Sequence, residues 1–95
     1  MESGINLKVI YPEKLFYEGK VDSVIVKTPD GYEGFMTGRA PCCKLLAEDG
    51  RIKFRCHGET EFKEAIINGG FLYMNGDMLI YTDAASWPED EEEDK

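Results

Sequence analysis

The sequence has one histidine, one tryptophan and no uninterrupted apolar stretch of the roughly 18 residues that a membrane-spanning helix needs. Its first residues also lack the basic flank and apolar core of a secretory signal, so we expect a cytosolic protein. The three cysteines are an odd number in a chain without such a signal. That count fits reduced thiols rather than a disulfide framework.

An excess of positive charge is missing as well. The net charge is −8, but residues 89–94 are all acidic, and residues 1–88 hold 13 acids against ten lysines and arginines. Binding to a phosphate backbone needs grouped lysines and arginines that release counterions. We therefore expect no nucleic-acid partner. At 95 residues the chain has room for one domain with a thin core.

Short alternating runs of apolar and polar residues, separated by glycine turns, predict an all-β domain. The clearest hairpin signal is Asn75-Gly76 between two apolar runs, and Gly19 is expected to end the second run of the chain. About nine short strands of this kind favour a β-sandwich or flattened barrel in a single domain. The predicted strands include residues 5–11, 14–20, 21–28, 51–56, 60–67, 71–74 and 78–81.

The apolar pattern stops after Ala85, and this sets the expected domain boundary. Residues 1–86 are predicted to form the folded domain, and residues 87–95 an acidic, disordered, solvated tail. Four phenylalanines have the spacing of core residues and are expected to be buried. They are Phe16, Phe54, Phe62 and Phe71.

The sequence offers few groups for catalysis. His57 follows Cys56, but neighbouring strand residues point to opposite faces, so we expect His57 to be an exposed turn residue rather than a base. Cys42, Cys43, Cys56 and His57 match a zinc site in number but lack the usual C-x-x-C spacing. We predict no metal, no cofactor and no active site. A small thiol or metal protein is the less favoured alternative.

Several short strings become specific when they are taken in order. They are LKVIYPE at 7–13, FYEG at 16–19, VDSV at 21–24, DGYEGF at 30–35, GRAP at 38–41, GGFL at 69–72 and DAA at 83–85. In this order and spacing the chain resembles the N-terminal domain of the epsilon subunit of bacterial F-type ATP synthases, which is called delta in mitochondria. The resemblance covers about residues 5–85.

The resemblance implies a ten-stranded β-sandwich in the rotating central stalk of a proton- or sodium-translocating ATP synthase. In this family one face packs on the gamma subunit and one end lies on the polar loops of the c-ring. The implied role is mechanical coupling during ATP synthesis, with no catalysis and no bound nucleotide. The implied place is the cytoplasmic face of the bacterial plasma membrane, reached only through the c-ring. A free-standing β-sandwich that binds other proteins is the alternative.

The c-ring-facing loop of the family corresponds to the turn at Asp30, Gly31, Tyr32 and Glu33. The family usually reads E-G-E-F/L-G there, so the second acid of this chain is displaced by one position. Strand neighbours face opposite ways, and Tyr32 therefore competes with Glu33 for the expected contact.

The gamma-facing loop of the family carries a G-H-A-P string, which reads GRAP at residues 38–41 here. Arg39 is therefore the first expected gamma contact, because an arginine can donate two parallel hydrogen bonds to one carboxylate. Lys44 and Tyr11 are the other positions expected to contact gamma.

Many bacterial members of the family continue into a two-helix hairpin that can brake ATP hydrolysis. No amphipathic helix pattern follows residue 85 here. The chain is either a naturally short form or a shortened piece, and the acidic end favours the short form. On that interpretation we expect neither helix-mediated inhibition nor ATP binding.

Overall fold

The structure is a computed structural model and describes residues 4–12, 14–48 and 50–88. Within these ranges the chain forms nine strands, which confirms the predicted all-β single domain. The strands are β1 Ile5–Tyr11, β2 Lys14–Thr28, β3 Gly31–Met36, β4 Cys42–Leu45, β5 Gly50–Cys56, β6 Phe62–Ile67, β7 Phe71–Asn75, β8 Asp77–Tyr81 and β9 Ala85–Ser86. The described residues include no helix with the length and apolarity to cross a membrane.

β2 is one strand of 15 residues where the sequence predicted two. The prediction that Gly19 ends a strand is wrong, because Gly19 pairs with Leu7 of β1 inside the ladder. The missing side chain of Gly19 allows the Tyr17 ring to approach the backbone closely, and no turn forms there. A Cβ built on Gly19 would lie 2.7 Å from Tyr17 Oη, so the tyrosine side chain folds over the bare backbone.

The length of β2 lets it pair with three other strands. Its first half pairs with β1, its residues 23–28 pair with β3, and its middle pairs with β5. The register against β5 shifts between Val21 and Ser23, and such irregularities bend a strand. β2 therefore connects both halves of the fold.

The strands form one hydrogen-bonded sheet in the order β4-β7-β8-β1-β2-β5-β6-β9, with β3 attached to β2. One cluster of buried side chains takes members from β1, β7 and β8 as well as from β3, β5 and β6. The sheet must therefore fold over so that its two halves face each other, as in a β-sandwich. The core members are Ile5, Leu7, Val9, Val21, Val24, Val26, Phe35, Leu46, Ile52, Phe54, Ala65, Ile67, Leu72, Met74, Met78 and Ile80.

Trp87 packs on this core although it was assigned to the expected tail. Its ring stacks on Phe16 with centroids 4.6 Å apart and lies 6.4 Å from the rings of Tyr17 and Phe54. The folded body therefore includes Trp87. The tail predicted for the rest of the chain falls on residues 89–95, which lie outside the described residues.

Two of the four phenylalanines expected in the core are on the surface. Phe54 is fully buried and Phe16 is half-buried, but Phe62 and Phe71 are 47% and 44% exposed. The reason is the period of two along each strand. Ala65 and Ile67 are the core-facing residues of β6, and Leu72 and Met74 are those of β7. Phe62 and Phe71 lie an odd number of residues away from these positions, so they point to the outer face.

The Phe54 and Phe62 pair gives a direct test of the register. Phe54→Ala should lower the free energy of unfolding by about 3–5 kcal/mol, because it leaves a cavity in the core. Phe62→Ala should lower it by less than about 1 kcal/mol, because its ring is half in water. Urea unfolding followed by far-UV circular dichroism measures both. Equal losses would contradict the assigned faces of β5 and β6.

Candidate protein-docking surfaces

A line of apolar side chains crosses the outer face of the first half of the sheet. The register pairs Leu45 with Phe71, Phe71 with Tyr81, Tyr81 with Ile10 and Ile10 with Leu15, so one residue comes from each of β4, β7, β8, β1 and β2. We call these five residues the apolar row. It spans roughly 19 Å, since four strand spacings of about 4.8 Å separate its ends.

The apolar row is open to solvent. Leu45 is 66% exposed and Leu15 is 54% exposed, and the rings of Phe71 and Tyr81 contact each other at 5.7 Å between centroids. The next row on the same face adds Tyr73, which is half exposed. Contiguous exposed apolar surface with aromatic members is typical of protein-binding sites.

Sequence reasoning placed two of the three expected gamma contacts one residue away from this row. Lys44 precedes Leu45, and Tyr11 follows Ile10. Lys44 turns toward the gap between the sheet halves, while Tyr11 contacts Phe16 with ring centroids 6.2 Å apart. A shift of one residue along a strand moves a side chain to the other face. The register of β4 and β1, which the sequence pattern does not fix, decides which neighbour faces out.

Three charged residues that the sequence assigned to two different partners lie together. Arg39 forms an ion pair with Glu33 at 2.5 Å and also donates to the carbonyl oxygen of Gly34 at 2.7 Å. Lys44 Nζ lies 3.5 Å from the same Glu33 carboxylate. We call Glu33, Arg39 and Lys44 the ion cluster. These bonds, led by the hydrogen bond from Arg39, lower the pKa of Glu33 below its ordinary value.

The ion cluster links two strands at the border of the sheet. Glu33 belongs to β3, which pairs with β2, and Lys44 belongs to β4, which pairs with β7. Their charged side chains meet across the opening between the sheet halves. Inward-pointing charges of this kind also protect edge strands from pairing with other chains. The carboxylate of Glu33, expected to meet the c-ring, is therefore held by two residues of its own chain.

The turn before β3 presents a tyrosine instead. The Thr28 hydroxyl donates to the Gly31 carbonyl at 2.9 Å and accepts from the Asp30 N–H at 3.1 Å, which fixes the turn. Tyr32 is 70% exposed, and Lys27 Nζ lies 5.9 Å from the centre of its ring. Between Tyr32 and Glu33, the two neighbours that compete for the predicted c-ring contact, Tyr32 is thus the one that faces solvent.

Tyr11 lies apart from the ion cluster. The Gly4 N–H at the start of β1 donates to Thr37 Oγ1 at 2.9 Å, which places that end of the strand near the Arg39 loop. Tyr11 is at the other end of β1, about 20 Å along a seven-residue strand. The structure therefore brings Arg39 and Lys44 together and leaves Tyr11 in a different part of the surface.

Residues 4–88 match the protein family described as ATP synthase, Delta/Epsilon chain, beta-sandwich domain. This chain belongs to that family. Among curated relatives, the ATP synthase epsilon chain of Caldanaerobacter subterraneus subsp. tengcongensis is 35% identical over 91 residues, covering 95% of this chain and 64% of the relative. That of Caldicellulosiruptor saccharolyticus is 35% identical over 85 residues, covering 88% and 60%. The chain thus spans less than two thirds of the length of these relatives.

Solved structures share the fold of this delta/epsilon domain. A chain of the Euglena gracilis mitochondrial ATP synthase (OSCP/F1/c-ring, rotational state 1) superposes with a TM-score of 0.85 at 22% identity, covering 95% of this chain and 57% of that one. A chain of the Tetrahymena thermophila mitochondrial ATP synthase central stalk and c-ring gives 0.74 at 14% identity, covering 94% and 70%. At these identities the likeness establishes the architecture.

The thiols and the histidine of this delta/epsilon domain do not converge. Cys56 Sγ lies 3.3 Å from Tyr17 Oη, and burial together with this contact raises the pKa of Tyr17 to about 12. His57 Nδ1 lies 2.8 Å from Asp22 instead, and the resulting bond lowers the pKa of Asp22. In the part of the chain that the structure describes, no three histidine, cysteine or acidic side chains are placed to hold a metal ion.

The ion cluster predicts a pH-dependent contribution to stability. The folded pKa of Glu33 is below its ordinary value of 4.5, so its contribution is fully present above that pH and is lost as the pH falls through the folded pKa. Glu33→Gln should therefore lower the urea midpoint at pH 7, and the difference from the unaltered protein should shrink steadily as the pH is lowered below 4.5. Glu61→Gln is the matched control, an exposed acid without an ion pair among the described residues. A midpoint difference that stays constant from pH 7 down through the acid range would show a role other than charge.

Proposed function

We propose that this chain is a non-catalytic central-stalk subunit of a bacterial F-type ATP synthase, which couples the gamma subunit to the c-ring during ATP synthesis. It has no active site in this role and carries torque between its partners. Its place is the cytoplasmic face of the plasma membrane, where the c-ring connects it to the bilayer. Family membership over residues 4–88 supports the proposal, as do the curated relatives named ATP synthase epsilon chain.

The apolar row is the observation that carries the gamma contact. Five apolar side chains in register form a surface that water would otherwise cover, and permanent subunit interfaces bury surfaces of this kind. Phe71 and Tyr81 lie in the middle of the row, where the most strongly contributing residues of an interface are usually found. Lys44 and Tyr11, which are sequence neighbours of the row, and Arg39 in the ion cluster remain predicted contacts.

The turn at residues 29–31 and the start of β3 are proposed to meet the c-ring. Tyr32 is the exposed aromatic side chain there, beside Lys27, and Asp30 is exposed as well, while Glu33 is engaged within the ion cluster. An aromatic ring and a lysine suit a polar loop that offers carbonyl groups and acids. Asp30 and Gly31 complete the predicted contact.

The alternative of a free-standing binding module is not favoured. That alternative predicts a surface near Arg39 without apolar area. Met36, which lies three residues before Arg39, is 60% exposed, and the apolar row covers the other half of the fold. This amount of uncovered apolar surface suits a chain that is held in an assembly.

Binding to the cognate gamma subunit tests the gamma contact. The double variant Phe71→Ser and Tyr81→Ser should weaken binding at least about tenfold, since central aromatic residues dominate interface energies. Phe62→Ser is the matched control, because it removes a similarly exposed ring from the opposite half of the sheet. Isothermal titration calorimetry gives both dissociation constants, and circular dichroism verifies that the variants fold.

Co-expression with gamma and the c-ring tests the whole proposal. All three should purify together, and Tyr32→Ala should release the c-ring while gamma stays bound. Failure of the unaltered chain to bind gamma would remove the proposed function. Equal weakening by Phe62→Ser and by the double variant would keep the function but reject the apolar row as the gamma surface.

A further inference from the structure

The fold of the chain does not require a glycine at position 34. Gly34 lies in the interior of β3, opposite Ile25 of β2, and its φ is outside the left-handed region. A Cβ built on Gly34 would lie 4.0 Å from its nearest neighbours, Ile25 Cγ1 and the Val24 carbonyl oxygen, which is an ordinary contact distance. At Gly19, by contrast, the same atom would lie 2.7 Å from Tyr17 Oη. A glycine inside a strand costs conformational entropy, and it often marks a place where another molecule comes close.

The bare position forms a notch on the outer face of the sheet. Positions 32 and 36 of β3 point the same way as position 34, because strand neighbours alternate. Tyr32 and Met36 are exposed on either side of Gly34, and the half-buried Ile25 forms the floor between them. Ser23, Ile25, Gly34 and Met36 line one cleft. We call Ile25, Tyr32, Gly34 and Met36 the glycine notch. A side chain from outside can enter it and pack on Ile25.

Two lysines without an acidic partner stand beside the glycine notch. Lys53 of β5 is opposite Ile25, and Lys27 stands two residues further along β2. Both lysines are exposed, and neither forms an ion pair with any residue in the ranges that the structure describes. Glu64, which is opposite Lys53 in the next strand, is engaged with Arg51 at 3.0 Å. The notch therefore adjoins positive charge that carboxylates of a partner can neutralise.

The backbone beside the notch is not free to accept another strand. β3 is an edge strand, which pairs with β2 alone among the described strands. An edge of this kind can add a strand of another chain through its backbone groups. The Gly34 carbonyl oxygen, however, accepts a hydrogen bond from Arg39 Nη1 at 2.7 Å, and Arg39 is held in turn by Glu33. We therefore expect a partner over the outer face, at the notch, and not as an added strand.

We propose that the glycine notch binds an acidic segment of another protein. An apolar side chain of the segment occupies the notch, and its carboxylates bind Lys27 and Lys53. Charge complementarity decides the class of partner, because a neutral or basic segment would leave both lysines without a counter-charge. Aromatic residues and methionine, here Tyr32 and Met36, are also enriched at protein interfaces. The notch adjoins the turn proposed to meet the c-ring, but the inference follows from β2, β3 and β5 and does not depend on the proposed function.

Amide NMR of the full chain with a short synthetic peptide tests the proposal. The peptide has glutamates on both sides of a central leucine, and the control peptide has glutamine at every glutamate position. At low salt the acidic peptide should shift the amides of Ile25, Gly34 and Lys53 to saturation and leave the apolar row unchanged. The glutamine peptide should give no saturable shift. Raising NaCl to about 0.5 M should weaken binding of the acidic peptide, because screening then acts over a few ångströms.

Filling the notch separates binding from folding. Gly34→Val should abolish the saturable shifts, while its urea midpoint should equal or exceed that of the unaltered chain, because a β-branched side chain fits an open strand position. Lys53→Glu should raise the dissociation constant of the acidic peptide at least about fivefold, since an attractive contact becomes repulsive. Lys8→Glu, on the outer face of the other half of the sheet, should leave that constant unchanged.

Several results would overturn the proposal. Absence of a saturable shift, or equal binding of the glutamine peptide, would reject an acidic partner. Unchanged binding by Gly34→Val would reject the notch, and a lowered urea midpoint of this variant would show that the fold itself needs the glycine. Tighter binding of a single-stranded oligonucleotide at the same amides would show a nucleic-acid site instead.

Discussion

The pairing of β2 with three other strands is the constraint on which the rest of the structure depends. Its first half aligns β1, and its second half aligns β3 and β5. Side chains alternate with a period of two, so the register of this strand decides which residues of its neighbours enter the core. The apolar row, the outward direction of Lys53 and Arg55 and the inward direction of Glu33 all follow from that alignment.

The two outer faces that result differ in what they can bind. One carries Leu45, Phe71 and Tyr81, and burying these side chains away from water lowers the free energy of a complex. The other carries lysines and arginines, whose attraction to acids acts over a longer range and weakens with salt. A subunit that stays attached to one partner needs the first kind of surface. The second kind suits contacts that form and break.

Local patterns predicted most of the fold. The strand predicted at residues 5–11 and the hairpin at Asn75-Gly76 are confirmed. Both could be predicted because each depends only on residues that are neighbours in sequence. Gly19 was misassigned because its role is to admit the Tyr17 ring, a contact that no local rule contains. Phe62 and Phe71 were placed in the core because their spacing resembles that of core residues, and only the register against β5 and β8 tells inside from outside.

The ion cluster was not predicted either, because local sequence rules contain no contacts between distant residues. Family strings associated Glu33 with one partner and Arg39 with another, but the fold brings Arg39 and Lys44 together onto the Glu33 carboxylate. For Arg39 to bind an acid on gamma, it must share or leave Glu33. Exposed ion pairs contribute little net free energy, so replacing Glu33 by an acid of gamma as the partner of Arg39 would change the free energy of binding only slightly. In the proposed function, affinity for gamma therefore comes from the apolar row, while the ion cluster contributes orientation and the rate of association.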